Sequence, residues 1–256
     1  MSAFVLKLVA CIAMLVDHCA FVFEEQLSAV SPWLYIGCRM FGRIAFPLFA
    51  MGIAEGVTHT RSSAKYIGRM VLFALLAQLP FSLMIGTRIP SVTVDMLGLA
   101  VPLYTSLSVM VTLTLGLCLC VAIHEGKHFL GAFALAAAFL IDRTVGMDYG
   151  LLGVLFIAAL YMSRTNKFRR FLVMVVFAML FYIDPIKKLI TQLAAGPGTQ
   201  ITVTTSILYC AATAFAAFIM LLYNHEPGRR AKLFGYFFYP LHMLAVWLLW
   251  FFYSKL

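Results

Sequence analysis

Apolar residues run through this chain in blocks of about 20, the length an α-helix needs to cross a hydrocarbon layer, divided by short clusters of charge, Pro or Gly. Nine such segments can be drawn, at approximately 4–23, 37–57, 66–85, 97–122, 129–142, 149–163, 170–183, 202–223 and 233–253. The fifth, sixth and seventh are short for a full span, which widens the expected count to eight to ten and leaves room for tilted or re-entrant pieces. The opening run has no small-residue cleavage site and is followed by further spans, so it reads as a first transmembrane helix. No repeat, low-complexity tract or soluble domain is visible. The pattern predicts one all-α domain over residues 1–256, a polytopic transmembrane helix bundle.

The polar connections give that bundle an orientation. Counting from a cytoplasmic N-terminus, the even-numbered loops carry Arg61, Lys65 and Arg69; Lys127; Arg164, Lys167, Arg169 and Arg170; and Arg229, Arg230 and Lys232. The odd-numbered loops hold the acids Glu24, Glu25, Asp95, Asp142, Asp148 and Asp184. Lys and Arg accumulate on the cytoplasmic side of membrane proteins, so the alternation predicts N-in, C-out and a multi-pass membrane protein. The longest loop, around 184–201 with Lys187 and Lys188, reads as a short helix on the outer surface before Gly196-Pro197-Gly198.

Composition supports the same class. The chain is 63% hydrophobic and 11% charged, with mean hydropathy +0.98, whereas soluble domains carry about 25% charged residues. The net charge of +9 lies in short clusters between apolar runs and not in a basic domain, which argues against nucleic acid as a partner. Cys11, Cys19, Cys38, Cys118, Cys120 and Cys210 fall mostly within apolar segments without paired metal spacing, and read as small core residues. The final Ser254-Lys255-Leu256 matches a peroxisomal address and reads as coincidence.

Ionisable groups inside hydrocarbon cost about 2.5 to 3.5 kcal/mol each near a helix centre, so each needs a partner or a job. At about 1.5 Å per residue, Asp17 and His18 lie roughly 5 Å outward of the middle of the first span, and Arg43 roughly 6 Å outward in the second. His242 sits near the centre of the last span. Toward the cytoplasm, Lys7 and Glu55 lie roughly 10 and 12 Å inward, beside Arg61, Lys65 and Arg69. Each has a plainer reading. Lys7 can snorkel to headgroups and the loop cations can be positive-inside anchors. Asp17 and Arg43 can form a structural ion pair. His242, after Tyr239-Pro240, can be a hydrogen-bonded core histidine at a kink. His59, His124, His128 and His225 fall in loops and read as solvated.

His18 is the candidate base, since imidazole titrates near neutrality and a carboxylate nearby can orient it. Successive helical residues point about 100° apart, so Asp17 is expected to pair with Arg43 or His242 and leave His18 open for chemistry. No nucleophile motif, phosphate-cradling Gly loop, metal-spaced His pair or dinucleotide fingerprint is present, which favours direct transfer over a covalent enzyme intermediate and predicts no metal. Ten residues separate Lys7 from His18, about 16 Å along a helix. A cation at one end and a base at the other suit a long cosubstrate with phosphates at one end and its reactive group at the other, as in an acyl-CoA.

Lys7-x10-His18 with Met14-Leu15-Val16-Asp17-His18, Gly42-Arg43-Ile44-Ala45-Phe46-Pro47-Leu48-Phe49, and Ala54-Glu55-Gly56-x-x-x-Thr60-Arg61 with Lys65-Tyr66 and Arg69 resemble the TraX family. So do Tyr149-Gly150-x-x-Gly153-Val154 and Tyr239-Pro240-Leu241-His242. That family acetylates the N-terminus of conjugative pilin from acetyl-CoA and is similar to the acyltransferase-three group of membrane acyltransferases. The resemblance implies His18, with Asp17, as catalytic. It places Lys7, Arg43, Glu55, Arg61, Lys65 and Arg69 on the acyl-CoA path and Tyr239 and His242 in support. It also implies an amine or hydroxyl acceptor, such as a pilin peptide, a glycan or a small molecule, met at the bilayer. Where relatives usually show an Asn ahead of a Thr-Leu pair, this chain has Ser108-Val109-Met110-Val111-Thr112-Leu113. The competing classes are a proton-coupled transporter or channel using the buried Asp, His and Arg as a relay, for which no matching halves are found, and a non-catalytic membrane scaffold.

Overall fold

A computed structural model of the chain describes residues 1–96, 99–183, 200–224, 226, 228 and 234–255. Eleven helices and one hairpin are formed by these residues. Helix α1 (Ala3–Val22) starts at Ser2, whose side chain accepts from Val5 N–H. The short α2 (Glu24–Val30) and Pro-initiated α3 (Pro32–Gly42) turn the chain back into α4 (Ala45–His59). Ser62 caps α5 (Ser63–Gly86) by accepting from Lys65 N–H. Strands β1 (Val92–Met96) and β2 (Leu99–Leu103) precede α6 (Val109–His124). Then follow α7 (His128–Thr144), α8 (Gly150–Met162), α9 (Lys167–Phe181), α10 (Gln200–Leu221) and α11 (Phe234–Tyr253).

Two expected segments differ from what forms. Residues 37–57 are not one helix: the chain turns at Arg43-Ile44 between α3 and α4. Pro47 lacks the N–H that would bond the Arg43 carbonyl four residues earlier, and its ring crowds that carbonyl, so a continuous helix is broken there. The segment expected from 97 begins as a hairpin, with Val92 opposite Leu103 and Val94 opposite Val101. The helix starts only at Val109. Val92-Thr93-Val94 and the apolar residues up to Leu103 suit a pleated pair, and a hydropathy window reads them as part of a span. The hairpin seats on the end of α5, where a Cβ on Gly86 would collide with the Pro102 carbonyl.

Among the described residues, four stretches are long and apolar enough to cross a membrane: Ala3–Val22, the broken Pro32–His59, Ser63–Gly86 and Phe234–Tyr253. Helices at Val109–His124, Gly150–Met162 and Thr205–Leu221 are apolar but shorter. The chain is therefore an all-α membrane protein with a small hairpin, and the count of nine spans rests on the charge alternation and not on helix length. The expected surface helix around Lys187 and Lys188, with Asp184, His225 and the Arg229, Arg230 and Lys232 cluster, lies outside the described residues.

Lipid supplies no hydrophobic drive between helices, so close approach relies on small residues. Ala10, Ala50 and Ala77 are fully buried, and Gly116 packs where a Cβ would strike Ile157. One large core joins α1, α4, α5, α6, α8 and α11, with a smaller one beneath α7. Helix α1 thus lies between α3 and α4 on one side and α11 on the other.

Candidate functional site

Asp17 and His18 are neighbours on α1, so their side chains leave the helix about 100° apart, and the structure gives each a different partner helix. Asp17 faces α3. Its carboxylate meets Arg39 Nη1 at 2.8 Å and Arg43 Nη2 at 2.9 Å through Oδ1 and 3.0 Å through Oδ2. Arg39 also donates to the Asp17 carbonyl at 3.2 Å, and Arg43 Nε to the Arg39 carbonyl at 3.3 Å. This approach requires Gly42: a Cβ there would occupy the space of the Asp17 side chain. Of the two partners expected for Asp17, the structure selects Arg43 and not His242. It adds Arg39, whose spacing of four from Arg43 puts both guanidiniums on one helix face.

His18 faces α11. Its Nδ1 lies 2.7 Å from His242 Nε2, and His242 Nδ1 lies 2.7 Å from the Phe238 carbonyl. A carbonyl only accepts, so His242 Nδ1 carries a proton. In a neutral ring Nε2 is then the acceptor, which makes His18 Nδ1 the donor. The chain of bonds leaves the lone pair on His18 Nε2, which has no hydrogen-bond partner among the described residues. His18 was expected to be open for chemistry. One nitrogen is engaged and the other is available. His242 is buried, with the Phe238 ring parallel to it at 4.8 Å and Tyr239 edge-on at 5.8 Å.

A third wall comes from the connection between α7 and α8, which sequence reasoning treated as an outer loop. Tyr149 holds φ +62°, a conformation that costs a non-glycine residue about 1 kcal/mol or more. Its ring stacks on Phe46 at 3.7 Å. Asp148 beside it accepts Tyr149 N–H through its carboxylate and feels Arg43, Asp17 and Arg39. Its backbone is held from both sides, N–H to the Leu107 carbonyl at 3.0 Å and carbonyl to the Thr112 hydroxyl. Asp148 is exposed, at the edge of this wall. Desolvation by the neighbouring protein pushes its carboxyl up to about 6, against the pull of Arg43. A loop acid beside a positive-φ residue was signalled only by the Tyr149-Gly150 block.

The other predicted residues lie toward the opposite helix ends. Lys7 is exposed on α1. Eleven residues at about 100° make three turns and roughly 20°, so Lys7 and His18 project from the same face, about 16 Å apart. Between them on that face lie Cys11 and Met14, 1% and 6% exposed, which close the path with packed side chains. Arg61, Lys65 and Arg69 are exposed, the last with its guanidinium 5.9 Å over Tyr66. Glu55 pairs with Arg170 at 3.2 Å. Arg170 is buried at the start of α9 and also donates to the Arg164 carbonyl. Arg170 was expected only as a loop anchor, because no sequence signal ties α9 to α4.

A family model described as TraX protein matches residues 2–250. A protein of Dichelobacter nodosus described as a probable fimbrial assembly protein FimC, serogroup H1, is 41% identical over 85 residues, 33% of this chain and 33% of that protein. The match thus spans about a third of that relative's length. No solved structure matches.

Proposed function

The chain belongs to the TraX family, and from that premise we propose that it is a membrane-embedded acyltransferase. It moves an acetyl or other acyl group from cytosolic acyl-CoA to an amine or hydroxyl acceptor. The observation that carries the reading is the hydrogen-bonded chain from the Phe238 carbonyl through His242 to His18. It leaves one basic nitrogen aimed away from its own support, as a general base requires.

In this reaction the acceptor R–XH attacks the thioester carbonyl carbon while His18 Nε2 takes its proton. The tetrahedral intermediate collapses, the carbon–sulfur bond breaks, and the departing thiolate recovers the proton from His18. The products are R–X–acyl and free CoA thiol. The imidazolium formed midway is held by donation from Nδ1 to His242. Arg39 and Arg43, two cations on the one carboxylate of Asp17, supply positive potential in which developing negative charge is stabilised. Lys7, Arg61, Lys65 and Arg69 meet the phosphates of the donor at the cytoplasmic face. The fimbrial name of the Dichelobacter nodosus relative favours a pilus-related acceptor, with a pilin N-terminus as the first candidate.

The test is thiol release from acetyl-CoA by the purified, membrane-reconstituted protein, with and without candidate amines, together with mass spectrometry of membrane peptides, lipids and glycans. Loss of release in His18→Ala, with membrane insertion intact, is the expected result. Undiminished release in that variant would sink the mechanism.

A further inference from the structure

A separate cavity of about 660 Å³ lies between the ends of α6, α7 and α8 that share the Lys127 side of the bundle, within the roughly 300–1,000 Å³ that ligand sites occupy. Small residues leave the space: Gly131 and Ala132 on α7, Ala158 and Ala159 on α8. Close helix approach does not force glycine here, because a Cβ on Gly131 would meet Ala122 and Leu119 at 3.5 and 3.6 Å, ordinary contact. We infer that this groove holds an acyl chain of an anionic phospholipid of the cytoplasmic leaflet, with the lipid phosphate against Lys127 and His128.

Three observations converge on that occupant. The groove runs from Lys127 to Leu135, about 12 Å along α7, and half of a hydrocarbon layer is about 15 Å. Its body is apolar and its cations stand only at the mouth, the same order as chain and phosphate in a phospholipid. Its rim residues Ile123, Leu155 and Met162 are exposed, so it opens sideways to whatever surrounds the helices, which for a membrane protein is lipid. Lys127 bonds Glu125 at 2.7 Å, which occupies one of the three donors of an ammonium and leaves two. The inference rests on the membrane reading and is independent of acyl transfer.

The experiment uses the full chain in phosphatidylcholine vesicles containing either phosphatidylglycerol or phosphatidylcholine probes with a photoreactive acyl chain, followed by peptide mapping. Crosslinks are expected within 119–135 and 155–162, with phosphatidylglycerol favoured. Gly131→Leu should reduce them to the level of a lipid-facing position such as Phe133. Ala132→Leu fills the same wall from an exposed position and serves if the first variant does not insert. Lys127→Gln with His128→Gln should remove the headgroup preference and leave the chain seated. Equal groove crosslinking in wild type and both filled variants overturns the site. Equal labelling by the two probes overturns the headgroup assignment, and occupation by a second copy of the chain overturns both.

Discussion

A neutral imidazole has one donor and one acceptor, so the Phe238 carbonyl, by fixing one nitrogen of His242, fixes all four nitrogens of the pair. Removing His242 should therefore cost activity without removing the base. His242→Ala is expected to lower kcat by about 10²-fold, against about 10²- to 10⁴-fold for His18→Ala. His242→Gln should recover part of the loss, since an amide oxygen can accept from His18 Nδ1, and acyl-transfer kinetics on the three variants measure the order. Asp148 makes a second prediction at this scale. Its folded-state pKa of about 6 lies above the unfolded 3.8, so the folded protein binds that proton more tightly. The stability this contributes is fully present below pH 3.8 and is lost as pH rises through about 6. The midpoint of thermal unfolding should fall across that window in the wild type by more than in Asp148→Asn; parallel profiles would reject the assignment. The sequence marked Asp17, His18, Arg43 and His242 because charge in an apolar run is conspicuous. It did not mark how they pair, because pairing depends on how far each helix is rotated about its axis. Asp148 escaped because an acid in a loop looks like any solvated acid, and its spacing in the chain does not show that Arg43 and Asp17 come close enough to act on it.

The elements decide whether those residues meet. The turn at Arg43-Ile44 lets Arg43 reach back toward Asp17, and Gly42 supplies the room. Gly42→Ala should displace Asp17 or α3 and destabilise the protein by about 1–3 kcal/mol, visible as a lowered unfolding midpoint together with lost activity. A retained midpoint with full activity would show that the close approach is dispensable. Along α1, Cys11 and Met14 cover the face that joins Lys7 to His18, so a donor reaching the base from the cytoplasmic end must displace them. Met14→Trp is expected to raise the KM for acetyl-CoA, and Met14→Ala to leave it equal or lower. The opposite order would place the donor elsewhere. Blocks of apolar residues located most helices to within a few residues. They missed the α3–α4 break, since Pro47 removes one bond without lowering hydropathy, and the hairpin, since paired strands and a span draw on the same residues.

For the whole molecule, contacts between helix ends show which ends share a side of the bundle. Arg88 at the end of α5 forks onto Glu24 and Glu25 of α2, 2.8 Å each, and both sites fall on the outer side. Arg170 at the start of α9 meets Glu55 near the end of α4, and His124 meets Tyr161 at 2.7 Å, all on the inner side. Each of these contacts joins helix ends that the alternation puts on one face, and each would form equally with that face inward or outward. Helix α11 runs parallel to α1: Met1 bonds the Leu222 carbonyl just after α10, and Phe23 at the end of α1 meets the Tyr253 ring edge-on at 6.0 Å, so the two ends of the chain fall on opposite sides of the bundle. Helix α8 has 13 residues, about 20 Å, against a hydrocarbon thickness of about 30 Å. Such a helix crosses only where the bilayer thins or flanking groups reach outward. If α7 to α9 each cross, the count is odd and the two ends of the chain lie on opposite sides. If one of them re-enters on the side it left, a second must do so too, and the count stays odd. Reporter fusions test the arrangement. A phosphatase that works only outside should be active after Ser254, and a fluorescent protein that matures only inside should glow when inserted at Gly126. Fluorescence from the Ser254 fusion would overturn the parallel arrangement of α1 and α11, and with it the bond from His18 to His242.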